Sequence, residues 1–247
     1  MSTSPQPSPG ASEIGTILAQ SFNLYFGRFA QYIIIPVVVL LPAYILRAII
    51  QGLFWRLFWG TAFHGGIGGL ASLGGNFIVD LLLGFIQWGA YALTLALVAK
   101  VVESQIAGKS ISLSEAYRSI PRASLITTAA LFGIATAIGW YLLVLPGLAV
   151  WFFLCLAMPA VALDRAEPFA AFARSIRAVL KVPVEIVVIL LIFVAYFFVG
   201  GIIAGAFFFV GGFYTVSILT GIVYLLVAPW LGISLALCYN RAKTLGA

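Results

Sequence analysis

The sequence predicts an all-α polytopic membrane protein of about six transmembrane helices, arranged as three units of one amphipathic helix plus a helical hairpin. Three observations predict it. The 247-residue chain is 63% hydrophobic and only 8% charged, with a mean hydropathy of +1.15, whereas soluble domains are about 45–50% apolar. Several apolar runs reach the ~18–20 residues that cross a bilayer as a helix. These runs are continuously apolar rather than alternating, which excludes a transmembrane β-barrel. Finally, a short polar-and-apolar phrase recurs ahead of three of the runs.

The six spans are Ala30–Ile50, Phe77–Ala99, Ser124–Val144, Pro146–Leu163, Pro183–Phe209 and Thr215–Cys238. The tightest junction is "YLLVLPGLAVWFF". Leu145-Pro146-Gly147 is expected to turn the chain there, because proline cannot continue the preceding helix but suits the first turn of the next. Trp140, Tyr141 and Trp151 flank it as an interfacial aromatic belt would. Pro36, Pro42, Pro159 and Pro229 fall inside spans and are expected to kink them. Small residues four apart (Ala129-Gly133, Ala135-Gly139, Gly201-Gly205 and Gly232-Ala236) are expected to let helices approach closely.

Orientation follows from charge. With six spans, eleven basic residues share a side: Arg28, Lys100, Lys109, Arg118, Arg122, Arg165, Arg174, Arg177, Lys181, Arg241 and Lys243. Only Arg47 and Arg56 fall on the other. The positive-inside rule then places both termini in the cytoplasm. The net charge of +6 is thus a topological signal. No basic cluster is interleaved with aromatic stacking residues, so nucleic acid is not an expected partner. Residues 1–13, "MSTSPQPSPGASE", carry no basic residue and read as a disordered cytoplasmic tail, not a signal peptide. Residues 14–240 form the membrane domain and 241–247 a second tail. Cys155 and Cys238 lie within or at the end of spans, and two free thiols are expected.

The recurring phrase is "GTILAQSFNLYFGRFAQYIII", "SLSEAYRSIPRASLITTAAL" and "PFAAFARSIRAVLKVPVEIVV". Each centres on a serine followed by a bulky apolar residue: Ser21-Phe22, Ser119-Ile120 and Ser175-Ile176. Each then passes a basic residue into a span. The units run over about 14–100, 111–163 and 167–238, with extra residues between the two spans of the first, as an inserted loop would give. In the first phrase Ile14, Leu18, Phe22, Tyr25 and Phe29 share a helical stripe. In the third Phe169, Phe172, Ile176, Val179 and Leu180 do so, away from Arg174, Arg177 and Lys181. Such helices suit the cytoplasmic interface, with the stripe at the acyl boundary and cations among headgroups. Two readings follow. The cations fix topology, or the three helices ring the protein and select anionic lipids through Arg28, Arg118, Arg122, Arg174, Arg177 and Lys181.

The stretches "IGTILAQSFNLYFGRF", "LPGLAVWFF" with Pro159 beyond it, and "AFARSIRAVLK" resemble a bacterial family. It is the membrane domain fused to some glycerophosphodiester phosphodiesterases, together with stand-alone relatives of unknown function. The resemblance covers about residues 13–240. It implies multiple spans with amphipathic segments in a bacterial cytoplasmic membrane. The phosphodiesterase activity of that family belongs to a separate soluble barrel, for which this chain has no room, so the resemblance carries over no active site.

No catalytic constellation emerges from the residues themselves, and neither a cofactor nor a metal site is expected. The one histidine, His64, stands in "GTAFHGGIGGLASLGGN" without the partners that a triad or zinc site needs. The glycines lack the preceding strand and following Gly-Lys-Ser of a phosphate loop, so residues 60–76 read as an external loop or shallow re-entrant segment. "RAIIQGLFWRLFWG", residues 47–60, reads as a headgroup-level helix. Arg47 and Asp80 fall at similar depth near the outer ends of spans one and two, where a charge costs about 2.5–3.5 kcal/mol on insertion scales; they are expected to pair. The functional expectation is a non-enzymatic membrane module that organises lipid or a membrane-protein partner. The alternative is a small transporter or lipid-translocating unit, which the repeats and proline breaks favour and the scarcity of buried polar residues disfavours.

Overall fold

A computed structural model describes the backbone of residues 13–62, 67–142 and 144–246. Side chains are described there except at 51–52, 54–62, 67–77, 80, 140–142, 144, 197, 204 and 208–218. All regular elements among these residues are α-helices: α1 Glu13–Gly27, α2 Phe29–Ala62, α3 Ile67–Ile106, α4 Leu113–Ser119, α5 Arg122–Leu142, α6 Val144–Leu154, α7 Ala157–Asp164, α8 Pro168–Lys181, α9 Pro183–Ala206 and α10 Phe208–Thr244. Six stretches are long and apolar enough to cross a membrane: Phe29–Ile50, Leu81–Ile106, Arg122–Gly139, Leu145–Asp164, Pro183–Ile203 and Leu219–Thr244. The protein is a multi-pass helical membrane protein. The fourth stretch is two helices, α6 and α7, meeting at a break.

Three short helices, α1, α4 and α8, each precede two spanning stretches, and their packing follows a cycle. α4 packs on α3 and α8 on α6 and α7; α1 packs chiefly on α10. α4 and α8 therefore dock on the spanning stretch just before them in the chain, and α1 on the last one. α3 is the central element, in contact with α2, α5, α7 and α10. Buried residues concentrate in Tyr91–Val102 of α3, Cys155–Ala162 around α7 and Val227–Tyr239 of α10, near the end of the bundle where the short helices sit. Lipid tails are as apolar as leucine, so this core is held by close packing rather than by water exclusion. A Cβ on Gly133 would lie 2.8 Å from the Phe85 carbonyl oxygen, and one on Gly232 would lie 2.8 Å from Val98 Cγ1. These two glycines bring α5 and α10 onto α3. At Gly201 and Gly205 no atom stands within 4 Å of a Cβ, so that expected small-residue contact is not made among the described residues. Outward, α2 presents Ile34, Val38, Leu41, Ile45 and Ile49 as one exposed stripe, the face a bilayer would cover.

Several boundaries differ from expectation. α3 begins at Ile67, so the glycine-rich stretch is helical from there on instead of a loop; helix propagation from the apolar run outweighs the modest cost of each glycine. α2 continues without interruption through residue 62, so residues 47–60 prolong span one as helix. α5 ends at Leu142 and α6 starts at Val144, so Leu145-Pro146-Gly147 lie in the first turns of α6 and do not form the turn. Gly147 serves close approach instead: a Cβ on Gly139 would meet its Cα at 2.9 Å. α10 stays helical to Thr244, and Arg241 ion-pairs there with Glu13 of α1 and with Glu185 of α9. That end of the chain is anchored to the bundle.

Candidate functional site

α8 is the element that organises the site. Pro168 opens it, with Glu167 in extended conformation at the N-cap. Val182 closes it ahead of Pro183, since the residue before a proline is driven out of the helical region. Its three faces separate cleanly. Ala171, Ser175 and Ala178 are buried against the bundle; Phe169, Ile176 and Leu180 are exposed; Arg174, Arg177 and Lys181 form the third face. The expected apolar stripe therefore points away from the protein, apart from the buried Val179 and half-buried Phe172. The docking face is made of small residues, because only these let α8 approach α5, α6, α7 and α10 closely. α1 also keeps its phenylalanines outside, Phe22 and Phe26 being exposed, but it docks through the larger Ile17 and Tyr25 on either side of Ser21.

Two of the three serines singled out by the repeated phrase, Ser175 and Ser21, are docking residues. Ser175 Oγ donates to the Phe153 carbonyl at 2.7 Å and accepts the Leu156 N–H at 3.1 Å. Those backbone groups flank the α6–α7 break. Pro159 causes the break, since its ring would clash with the carbonyl of Cys155 four residues back. The Cys155 thiol donates to the Phe152 carbonyl at 3.1 Å. Cys155 and Leu156 are fully buried, as irregular backbone at membrane depth must be. Ser21 Oγ accepts the Trp230 indole N–H at 3.1 Å, and Tyr25 donates to the Leu226 carbonyl at 2.7 Å, beside Pro229. Ser119 Oγ returns only to its own helix, donating to the Ala116 carbonyl at 2.8 Å.

Beside the break, a cleft of about 310 Å³ opens among α7, α8 and α10, lined by Asp164, Arg174, Arg177, Ala178, Tyr239 and Lys243. Asp164 is its hub. Oδ2 accepts the Tyr239 hydroxyl at 2.7 Å and Arg174 Nη1 at 3.3 Å; Oδ1 accepts Lys243 Nζ at 2.6 Å. Arg177 directs Nε to the Ala173 carbonyl one turn back, at 3.4 Å. Three cations thus line the cleft with one carboxylate, whose oxygens already hold three donors, from Tyr239, Arg174 and Lys243.

The structure brings together two of the expected lipid-contact residues, Arg174 and Arg177, in this cleft. Lys181 sits exposed on the last turn of α8 and does not line it. Arg28 lies exposed between α1 and α2, and Arg118 on the last turn of α4; the Arg122 guanidinium stacks 5.6 Å above the Tyr117 ring. The six are spread along one end of the bundle and do not form a single site. Arg47 is half-buried and electrostatically coupled to Tyr44 and Tyr224, whose rings lie 6.1 Å apart. The Asp80 side chain lies outside the described residues, and with it the expected Arg47–Asp80 pair; His64 lies outside them too. Asp164, Tyr239 and Lys243 join the site only through the fold. Each leaves a separate trace, Asp164 as the lone acid closing span four and Tyr239 and Lys243 four apart on one helix face, but nothing local joins the two.

Among the described residues, no group of three or more His, Cys, Asp or Glu side chains could hold a metal. Both cysteines are free and buried. No family model, curated protein or solved structure matches the chain.

Proposed function

We propose that this protein is a non-enzymatic module of a bacterial cytoplasmic membrane, with both termini in the cytoplasm, that gathers anionic lipids at the cytoplasmic face. The observation that carries this is the cleft of Arg174, Arg177 and Lys243 around Asp164, next to the exposed Phe169, Ile176 and Leu180 of the same helix. An amphiphile needs such a pairing, with cations for its headgroup and an apolar flank for its chains. The positive-inside bias supports the orientation. The cyclic docking of α1, α4 and α8 supports reading the chain as three repeated units, and the resemblance to the phosphodiesterase-linked membrane domain agrees with that layout. The test is lipid analysis of protein extracted with its native bilayer into polymer nanodiscs. Each Lys or Arg near an anionic surface contributes about 1 kcal/mol, so the triple variant Arg174→Gln, Arg177→Gln, Lys181→Gln is expected to lose most of any anionic enrichment while keeping its topology. An unchanged lipid profile in that variant refutes the reading.

A second reading, lipid translocation or transport, has one specific observation in its favour. Span four is broken at Cys155–Leu156, and broken helices mark sites in transporters. It predicts movement of a fluorescent lipid between leaflets of proteoliposomes, lost when Pro159 is replaced by leucine.

A further inference from the structure

We infer that the cleft between α7, α8 and α10 is a binding site for a phosphate-type dianion, a phosphomonoester in preference to a phosphodiester. This rests on the reading of the face as anion-binding and sharpens it to one headgroup chemistry.

The argument starts from donors and acceptors. Among the described residues Asp164 is the one carboxylate lining the cleft, and both its oxygens are engaged, by Tyr239, Arg174 and Lys243. It has little capacity left to attract a cation or an ammonium headgroup, so its role is to hold Arg174 and Lys243 in place. The donors are far from used up. A guanidinium carries five N–H groups and an ammonium three. Arg174 and Lys243 each give Asp164 one recorded hydrogen bond. Arg177 gives only Nε, to its own helix, leaving the two terminal nitrogens that form the bidentate fork for oxyanions. Tyr239 spends its proton on Asp164. What the cleft lacks is acceptors.

Charge then selects among anions. Three cations against one carboxylate leave an excess of two positive charges. A phosphomonoester brings three terminal oxygens and a charge of about −1.5 to −2 near neutral pH. A phosphodiester brings two such oxygens and a single negative charge. The monoester matches both the charge and the number of cationic groups. The same chemistry occurs in a phosphatidate headgroup and in soluble phosphomonoesters or inorganic phosphate.

The test uses the full chain in phosphatidylcholine nanodiscs doped with equal small fractions of phosphatidate or phosphatidylglycerol, read by native mass spectrometry of retained lipid. We expect phosphatidate to be retained about tenfold over phosphatidylglycerol near neutral pH. The preference should shrink as pH falls below about 6, where the monoester loses its second charge. Arg177→Gln should abolish the preference. Its recorded bond is within α8, so the fold is not at stake, and Arg177→Lys should restore part of it by returning the charge without the fork. Inorganic phosphate that displaces phosphatidate identifies a soluble monoester as an equal occupant; phosphate without effect identifies the lipid; both support the dianion site. Equal retention of the two lipids, both lost in the triple variant of the preceding test, overturns the dianion site while leaving anionic-lipid binding standing. Retention of neither overturns both. A phosphatidate preference unchanged in Arg177→Gln places the selectivity elsewhere and overturns the assignment to this cleft.

Discussion

Replacing Ser175 with alanine removes one oxygen atom and deprives two backbone groups of a partner. The hydroxyl donates to the Phe153 carbonyl at 2.7 Å and accepts the Leu156 N–H at 3.1 Å, and Ser175 and Leu156 are fully buried. Leaving a buried polar group unsatisfied costs about 1–3 kcal/mol. Hydrogen bonds between membrane helices measure lower, about 0.6 kcal/mol on average and at most about 1.7. Two bonds at one break therefore set the expected loss near ~2 kcal/mol. The assay is reversible unfolding in mixed micelles titrated with a denaturing detergent, against two matched controls. Ser21→Ala strands one group, the Trp230 indole N–H, and should cost about half as much. Ser119→Ala loses only a hydroxyl bond to its own helix and should cost no more than ~0.5 kcal/mol. The three serines occupy the same place in the repeated phrase, so the controls separate docking from composition. If Ser175→Ala and Ser119→Ala come out equal, Ser175 does not hold the break together.

Gly133→Ala should destabilise by about 1–3 kcal/mol, as overpacking does, because its Cβ would meet the Phe85 carbonyl oxygen at 2.8 Å; Gly201→Ala, with no atom within 4 Å, should be neutral or slightly stabilising by the same measurement. Cys155 and Cys238 are both fully buried, so a membrane-permeant maleimide should label neither in the native protein and both after unfolding. Ser112→Ala should speed amide exchange across α4 by about fivefold, the effect of losing a serine cap, since Ser112 Oγ accepts the Glu115 N–H while Glu115 returns to the Ser112 N–H. The Ser112 backbone N–H and then its hydroxyl hold the Glu115 carboxyl below its ordinary value. A depressed carboxyl contributes stability that is complete above the unfolded value of about 4.3 and is lost as pH falls through the lower folded one. α4 exchange should therefore be flat in its protection near neutrality and loosen only in acid; loosening that begins above pH ~5 would contradict the cap.

Which parts of this architecture the residues disclose depends on how local their cause is. Spanning helices follow from runs of apolar side chains, and all six are found close to where those runs lie. Element ends are less legible where the cause is a neighbour. Gly147 reads as a turn residue, yet it packs against Gly139 of the adjacent helix, where an added Cβ would stand 2.9 Å from the Gly147 Cα. The glycine-rich stretch after Gly66 reads as a loop because each glycine weakens a helix, but the apolar residues that follow extend α3 back through it.

The amphipathic helices show the same limit more sharply. Periodicity separates the bulky apolar residues of α8 from its cations, but it cannot say which apolar-compatible face meets protein and which meets lipid. In water, large apolar side chains would turn inward. In a bilayer the driving force for that is absent, so the smallest face docks and Phe169, Ile176 and Leu180 stay outside. The serine in the middle of that small face is then the only side chain able to reach the backbone it packs on, and it does so where Pro159 has broken span four. In the first and third phrases serine plus bulky residue thus encodes an orientation, hydroxyl toward the bundle and large neighbour toward lipid; in the second, Ile120 is buried and Ser119 bonds its own helix. Arg174 precedes Ser175 in that phrase, so the same docking that satisfies the break also sets a cation beside Asp164. Asp164, Tyr239 and Lys243 were illegible as a cluster for the converse reason. They come from two spans 75 and more residues apart, and only the packed bundle brings one acid under three donors.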